Sequence, residues 1–379
     1  MAGIYIHIPF CRQFCTYCNF YSVKGRGYKE KFLNALHKEI DYRKQFFKYT
    51  GVRPQTIYFG GGTPSLFSGR QLGDIINHLV EVFQFFPVEI TLEVNPNDIY
   101  PQYADDLLEA GFNRVSMGVQ SFIDSHLQFM NRRHIGDEGV EAYRTLRKAG
   151  FGNISLDLIF GYDGLSNDDW EYNLSVMTSL APEHISAYQM SIDPGSALYR
   201  MLERGEYNVV PDDICHNQYT FLQNHLKQHG YCQYEVSNFA KAVEGGSPVI
   251  SLHNSSYWTK EPYLGLGPAA HSYTGKQRLW NNPGLARYCA AFLEGAPLEG
   301  VCGSEELTAV DMYNESLMLG LRTVDGVNVA YLNRGFYKES LPQIERHIRL
   351  GNLVREGDML RIPSNRLFVS DGIISDLFV

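Results

Sequence analysis

The stretch Gly3-Ile4-Tyr5-Ile6-His7-Ile8-Pro9-Phe10-Cys11-Arg12-Gln13-Phe14-Cys15-Thr16-Tyr17-Cys18 joins a short β-rich run to three closely spaced cysteines. Residues 3–8 read as a strand, and Pro9, which cannot donate to a ladder, helps to stop it. The cysteines then fall on one irregular loop. Thiolates hold Fe–S clusters, and three ligands for the four irons of a [4Fe–4S] cluster leave one iron open. Zinc is the competing reading, but it usually takes four ligands, commonly as two separated cysteine pairs. No second pair follows, although His7 or a distant cysteine offers a fourth ligand. A redox CxxC leaves the third cysteine unexplained. The spacing favours a cluster on Cys11, Cys15 and Cys18.

Downstream, short β-rich runs alternate with amphipathic helical stretches. Strands are expected at 3–8, 55–59, 88–94, 114–119, 153–160 and 184–190, with helices near 28–49, 69–85, 101–110, 137–149 and 168–179. Gly111 and Gly150 stand where helix C-caps are wanted. Six such units argue for an α/β fold on a parallel sheet, either a partial barrel or a doubly wound sheet. The rhythm holds over 1–190 and is lost over 191–304. Over 305–379 it turns helical, with helices expected at 305–321, 341–350 and 364–377. A hairpin is expected around Glu356-Gly357-Asp358. The last segment therefore reads as a small C-terminal α+β, winged-helix-like domain. It shows no Lys/Arg-rich recognition helix, so a structural role is expected there.

The net charge of -9 carries no basic footprint of a nucleic-acid binder, and no nucleic-acid partner is expected. The other cysteines, Cys215, Cys232, Cys289 and Cys302, are scattered, which is no disulfide framework. No run of about eighteen apolar residues offers a membrane span, and residues 3–8 are too short for a signal peptide core. A cytoplasmic protein with reduced thiols is expected.

The loops after later strands carry a second set of candidates. Gly60-Gly61-Gly62-Thr63-Pro64-Ser65 permits close backbone approach, but lacks the Gly-Lys-Ser/Thr ending of a P-loop. Glu93, Gln120 and Asp157 recur near the C-terminal ends of three successive strands, where βα loops build sites. Singly, each reads as a satisfied structural polar group. Together they suit a ribose, an amine or an adenine. Arg132 could pair with a carboxylate.

CxxxCxxC with Tyr17 before its last cysteine resembles the radical S-adenosylmethionine superfamily. That resemblance implies a partial (β/α)6 barrel and S-adenosylmethionine chelated to the open iron. Its Gly-rich loop meets the methionyl amine. A narrower likeness lies in Tyr5-Ile6-His7-Ile8-Pro9-Phe10-Cys11, Phe59-Gly60-Gly61-Gly62-Thr63-Pro64, Leu92-Glu93-Val94-Asn95-Pro96, Ser116-Met117-Gly118-Val119-Gln120-Ser121-Phe122 and Asp157-Leu158-Ile159-Phe160-Gly161. These motifs resemble the oxygen-independent coproporphyrinogen III oxidase (HemN) family. Carried over by motif, Tyr5, Tyr17, Gly61, Gly62, Glu93, Gln120, Arg132 and Asp157 are expected to line the cofactor pocket.

One departure is informative. The oxidase pattern continues with a cysteine two residues after the third, and here that position is Phe20. Cys18-Asn19-Phe20-Tyr21 and His253-Asn254-Ser255-Ser256-Tyr257-Trp258 resemble the HemW branch, regarded as haem chaperones that pass haem to acceptor haem proteins. The resemblance implies haem contact at His253, Asn254, Tyr257 and Trp258. An imidazole can ligate haem iron, and flat aromatic faces suit a porphyrin. His271 competes as the ligand. A membrane-associated acceptor and a homodimer are both compatible with this reading. The alternative function is oxidative decarboxylation of coproporphyrinogen III to protoporphyrinogen IX. Phe20 and the HNxxYW motif favour the chaperone.

The cysteine spacing makes a direct prediction. Anaerobic reconstitution should load about four irons and four sulfides per chain. Replacing Cys11, Cys15 or Cys18 by Ala should abolish the cluster's visible absorption. Stoichiometric zinc without iron, after the same treatment, would overturn the cluster reading.

Overall fold

The computed structural model describes residues 1–379, the side chain of Arg26 excepted. Strands β1 (Ala2–Ile8), β2 (Pro54–Gly61), β3 (Glu89–Val94), β4 (Arg114–Gln120), β5 (Ile154–Phe160) and β6 (His184–Gln189) pair in chain order, all parallel. Helices lie between successive strands: Lys29–Tyr42, Gly69–Phe83, Pro101–Glu109, Gly136–Ala149 and Asn167–Leu180. The stretch read as one helix over 28–49 breaks after Tyr42, and a short helix, Phe46–Thr50, follows.

Strand periodicity sorts the side chains into two rows. Ile4, Ile6, Ile8, Ile57, Phe59, Leu92, Val115, Met117, Leu156 and Ile185 are fully buried. They form the hydrophobic core together with helix residues such as Leu36, Leu72, Leu107, Leu146 and Leu174. The alternate positions carry Tyr5, Tyr58, Thr91, Glu93, Arg114, Ser116, Asp157, His184 and Ser186. The result is a partial six-unit barrel with an apolar outer shell and a polar lumen.

The loss of rhythm after residue 190 has a structural cause. An open barrel leaves two bare edges with unpaired backbone groups, and short strands cover both. Strands β7 (Tyr231–Gln233) and β8 (Asn238–Lys241) extend the β6 edge antiparallel. On the other edge β9 (Tyr263–Leu266) runs parallel to β1, and β10 (His271–Tyr273), β11 (Gln277–Asn281) and β12 (Cys302–Glu306) continue antiparallel. The sheet order is β12-β11-β10-β9-β1-β2-β3-β4-β5-β6-β8-β7. Strands of three to five residues hold too few alternations for period two to show.

At the C-terminus, β13 (Val327–Asn328), β14 (Val354–Glu356) and β15 (Met359–Arg361) make a separate antiparallel sheet beside helices Ala309–Leu321 and Arg334–Arg349. The hairpin turns at Glu356-Gly357-Asp358, where Gly357 takes a φ of 63°. Two boundaries differ from expectation. Residues 305–306 close β12, where Glu305 pairs with Arg278, and the helix begins behind a Thr308–Asp311 capping box. The next helix starts at Arg334, capped by the Asn333 side chain, and carries Pro342 in its interior. The closing segment is a 3-10 helix, Ser364–Val369, followed by Ser370–Ser375. Among the described residues no helix is long and apolar enough to cross a membrane.

A buried carboxylate ties the β9–β12 extension to the barrel. Glu39, fully buried on the first helix, accepts from the Gly267 amide at 2.8 Å, the Tyr288 hydroxyl at 2.7 Å and the Asn281 amide at 2.6 Å. Removing the acceptor strands three buried donors, each costing about 1–3 kcal/mol when unpaired. Glu39→Ala should therefore lower stability to urea by about 3 kcal/mol or more. Glu39→Gln should cost less, because one acceptor oxygen remains. An unchanged unfolding midpoint in the alanine variant would contradict this role.

Candidate functional site

The cysteine loop follows β1 and is held at several points. The Cys11 amide bonds the Val23 carbonyl at 3.1 Å, and the Thr16 amide bonds the Met130 carbonyl at 3.2 Å. Leu198 donates its amide to the Thr16 carbonyl at 2.8 Å. The loop is thus braced by segments that follow β4 and β6. Cys11, Cys15 and Cys18 are all free and partly buried. Burial pushes the Cys11 thiol up, and the Cys18 thiol to about 11. Thiolate ligation at this loop would release protons. Among the described residues no three His, Cys, Asp or Glu side chains converge as a single metal ion would require. A cubane, whose cysteines bind three different irons, makes no such demand.

The glycine loop after β2 packs directly against this loop. The Gly62 amide bonds the Ile8 carbonyl at 2.8 Å, and the Thr63 amide bonds the Phe10 carbonyl at 2.7 Å. A Cβ at Gly62 would stand 2.7 Å from the Phe10 oxygen. At Gly61, where φ is 104°, a Cβ would stand 2.5 Å from the His7 ring. Backbone and side-chain crowding therefore demand glycine here, apart from any ligand. Glu93 accepts from the Gly61 amide at 3.1 Å and from the Tyr58 hydroxyl at 2.9 Å.

Of the remaining candidates, Arg132, Tyr17 and Gln120 gather near the same rim, and Tyr5 and Asp157 lie deeper, at the middle of their strands. Arg132 reaches back to the cysteine loop, with Nη1 3.4 Å from the Cys15 sulfur and Nη2 donating to the Gly118 carbonyl. Its Nε is buried without a partner. The Tyr17 hydroxyl lies between Cys15 and Arg132. Gln120 sits at a β-bulge with φ of 68°, an uncommon conformation for a non-glycine residue. Tyr5 bonds His7 Nδ1 at 3.2 Å and stacks with Tyr58, ring centroids 6.2 Å apart. Asp157 faces Ser116 at 3.4 Å. Burial raises the Glu93 carboxyl to about 7, against the Tyr58 hydrogen bond. Burial likewise raises Asp157 to about 6, against hydrogen bonds from Ser186 and Ser116.

The HNxxYW residues lie elsewhere. They form the helix Leu252–Trp258 under the N-terminal ends of β1–β3, opposite the cysteine loop. The buried Glu89 carboxylate caps this helix, accepting from the Leu252 and His253 amides at 2.9 and 2.8 Å. His253 is fully buried, and its ring stacks with Tyr58 at 5.0 Å. Its Nδ1 bonds Thr56 Oγ1 at 2.8 Å, and its Nε2 bonds the Tyr257 hydroxyl at 2.9 Å. Both nitrogens are occupied, so iron ligation by His253 would first require breaking one of these bonds. The Asn254 backbone N–H donates to the Ser251 hydroxyl at 3.3 Å, and among the described residues the buried Trp258 indole N–H has no partner.

Sequence reading expected the cysteines, glycines, Glu93, Gln120 and Asp157 on one rim; Asp157 instead stands at the middle of β5, deeper in the lumen. That reading missed the floor of the lumen. Arg114 is 1% exposed, and its Nε and Nη1 have no hydrogen-bond partner. His184 spans Ser155 and Tyr234, both at 2.7 Å. The available signal was a polar residue at the first position of β3, β4 and β6 (Glu89, Arg114 and His184), which reads equally as a strand boundary.

Comparison with known proteins places this architecture. Residues 5–175 match the Radical SAM superfamily. The heme chaperone HemW of Bacillus subtilis is 35% identical over 334 residues, covering 86% of this chain and 85% of the relative. The chain belongs to the HemW family. Heme chaperone HemW of Mycobacterium tuberculosis is 31% identical over 380 residues, covering 99% of this chain and 94% of its own. Coproporphyrinogen III oxidase (HemN) of Escherichia coli superposes with a TM-score of 0.82 over 100% of this chain and 90% of its own. At 22% identity that likeness concerns the fold alone. The HemW-family motifs thus sit at opposite ends of one barrel, cysteines at the top and HNxxYW at the floor.

The raised Glu93 carboxyl makes a signed prediction. The folded chain holds a proton there that the unfolded chain, with a value near 4.5, gives up. Stability from this site is full below that value and is lost as pH rises through about 7. Glu93→Gln keeps the shape and removes the titration. In urea unfolding of the ligand-free protein, the variant should gain on wild type by about 2–3 kcal/mol between roughly pH 5 and pH 8. A difference that stays constant with pH would contradict the raised value.

Proposed function

We propose that this protein binds haem and hands it to acceptor haem proteins, and that it carries a [4Fe–4S] cluster and S-adenosylmethionine. The observation that carries the reading is whole-chain similarity to proteins named heme chaperone HemW, at 31–35% identity. Phe20, 72% exposed beside Cys18, agrees with it, because a phenyl ring cannot serve as thiol acid, ligand or hydrogen donor.

The donor set on the rim fits the two cofactors. Cys11, Cys15 and Cys18 would hold three irons, with Arg132 beside Cys15 offsetting thiolate charge. Gly61 and Gly62 would let a ligand approach the backbone, and Tyr5, Tyr17, Gln120 and Asp157 would line its pocket. Glu93 and Asp157 are carboxyls raised by burial, which a cationic amine or sulfonium would draw into the ionised form. When bound, the cluster supplies an electron and an open coordination site. The lumen walls would shield that site from water.

Two measurements test this on the anaerobically reconstituted protein. Added haem should bind and give a Soret band, while coproporphyrinogen III should remain unconverted under reducing conditions. S-adenosylmethionine should alter the paramagnetic resonance signal of the reduced cluster, and Glu93→Ala should weaken that response. Absence of haem binding, or efficient formation of protoporphyrinogen IX, would overturn the chaperone reading.

A further inference from the structure

The haem reading leaves open where the iron is held, and the histidines can be sorted by what they already do. The chain has twelve. His7, His126, His134, His184, His253 and His347 are buried. His37 and His78 bond each other through Nδ1 at 2.7 Å, and His78 also bonds Asp41. His225 bonds Thr178 and stacks with His229, centroids 4.3 Å apart. His216 leans on Phe368. His271 is exposed, and among the described residues neither of its nitrogens has a hydrogen-bond partner.

His271 also has the right neighbours. It begins β10 directly opposite Trp280 of β11, and the two rings are stacked with centroids 6.3 Å apart, 28° between planes. Together with Tyr263, Arg278 and Glu305 they line an open depression of about 360 Å³, within the range of small-molecule sites. Glycine at 303 is what lets the indole lie against β12, since a Cβ there would stand 2.4 Å from the Trp280 ring. Behind the depression, Tyr257 packs edge-on against Tyr263 at 4.7 Å, and Tyr257 is held by His253. The HNxxYW helix therefore braces one wall of this depression from below.

Resting on the haem reading, we propose that haem docks on the β9–β12 edge with its iron ligated by His271 and its macrocycle against Trp280 and Tyr263. His253 is then a positioning residue, acting through Tyr257 and Tyr263. Arg278 is already engaged by Glu305 at 3.4 Å and by Glu315. The carboxylates beside it disfavour further anions, so the propionate edge points to solvent. An open edge suits a cargo that must be released to another protein.

The test is a haem titration of the full chain, reconstituted with its cluster, followed by Soret and paramagnetic resonance spectra. His271→Ala should bind haem about tenfold more weakly and lose the imidazole-ligand signature, and free imidazole should restore that signature. His253→Ala should weaken binding less and leave the ligand signature in place. His216→Ala should match wild type. Wild-type affinity and spectrum in His271→Ala would overturn this assignment while the haem reading stands. If the wild-type chain itself takes up no haem, the haem reading fails.

Discussion

Every strand of the barrel must bury one face in hydrocarbon and the other in a lumen filled with polar groups, and that second requirement organises the molecule. In a low-dielectric interior an unpaired polar atom is costly. The lumen groups therefore bond one another across strands: Tyr58 to Glu93, Ser116 to Asp157, Ser155 to His184, Thr56 to His253. Glu89 is satisfied by the amides of the helix that closes the floor. The raised carboxyls at Glu93 and Asp157 are the residue of this arrangement, held ready at the open end.

The same economy of backbone groups explains the extensions. A six-strand parallel sheet that does not close exposes its edges, and the chain after β6 spends its next hundred or so residues covering them. The cover on the β1 edge is anchored through Glu39, a carboxylate tolerated inside because three donors converge on it and the Arg43 guanidinium lies 3.8 Å away. The extension continues the lumen face outward: Tyr263 lies beside Gly3, and His271 beside Trp280. One surface thus runs from the cofactor rim, past the HNxxYW floor, to an open aromatic ledge.

The site was legible in the sequence where function and local chemistry coincide in a short window. The three cysteines, the glycine triplet and Phe20 need no tertiary contact to be noticed. Glu93, Gln120 and Asp157 could be gathered because they are polar interruptions in consecutive strands of a regular βα series, although only Glu93 and Gln120 stand near a strand's end. Arg114 and Glu89 could not, because a polar residue at a strand's start has no period to betray which way it faces. The motif containing His253 is easily seen, but its burial is not: only the packing against β1–β3 shows that both ring nitrogens are occupied.

By itself, then, the sequence determined the alternating βα series, the cysteine loop and the glycines beside it, since periodicity and covalent chemistry act over a few residues. The tertiary structure alone decided which strands guard the edges, which histidine is locked and which is open, and where the carboxyls are forced upward. Those outcomes depend on residues far apart in the chain, such as Thr56 with His253 and Glu39 with Asn281, meeting in an interior where water is excluded.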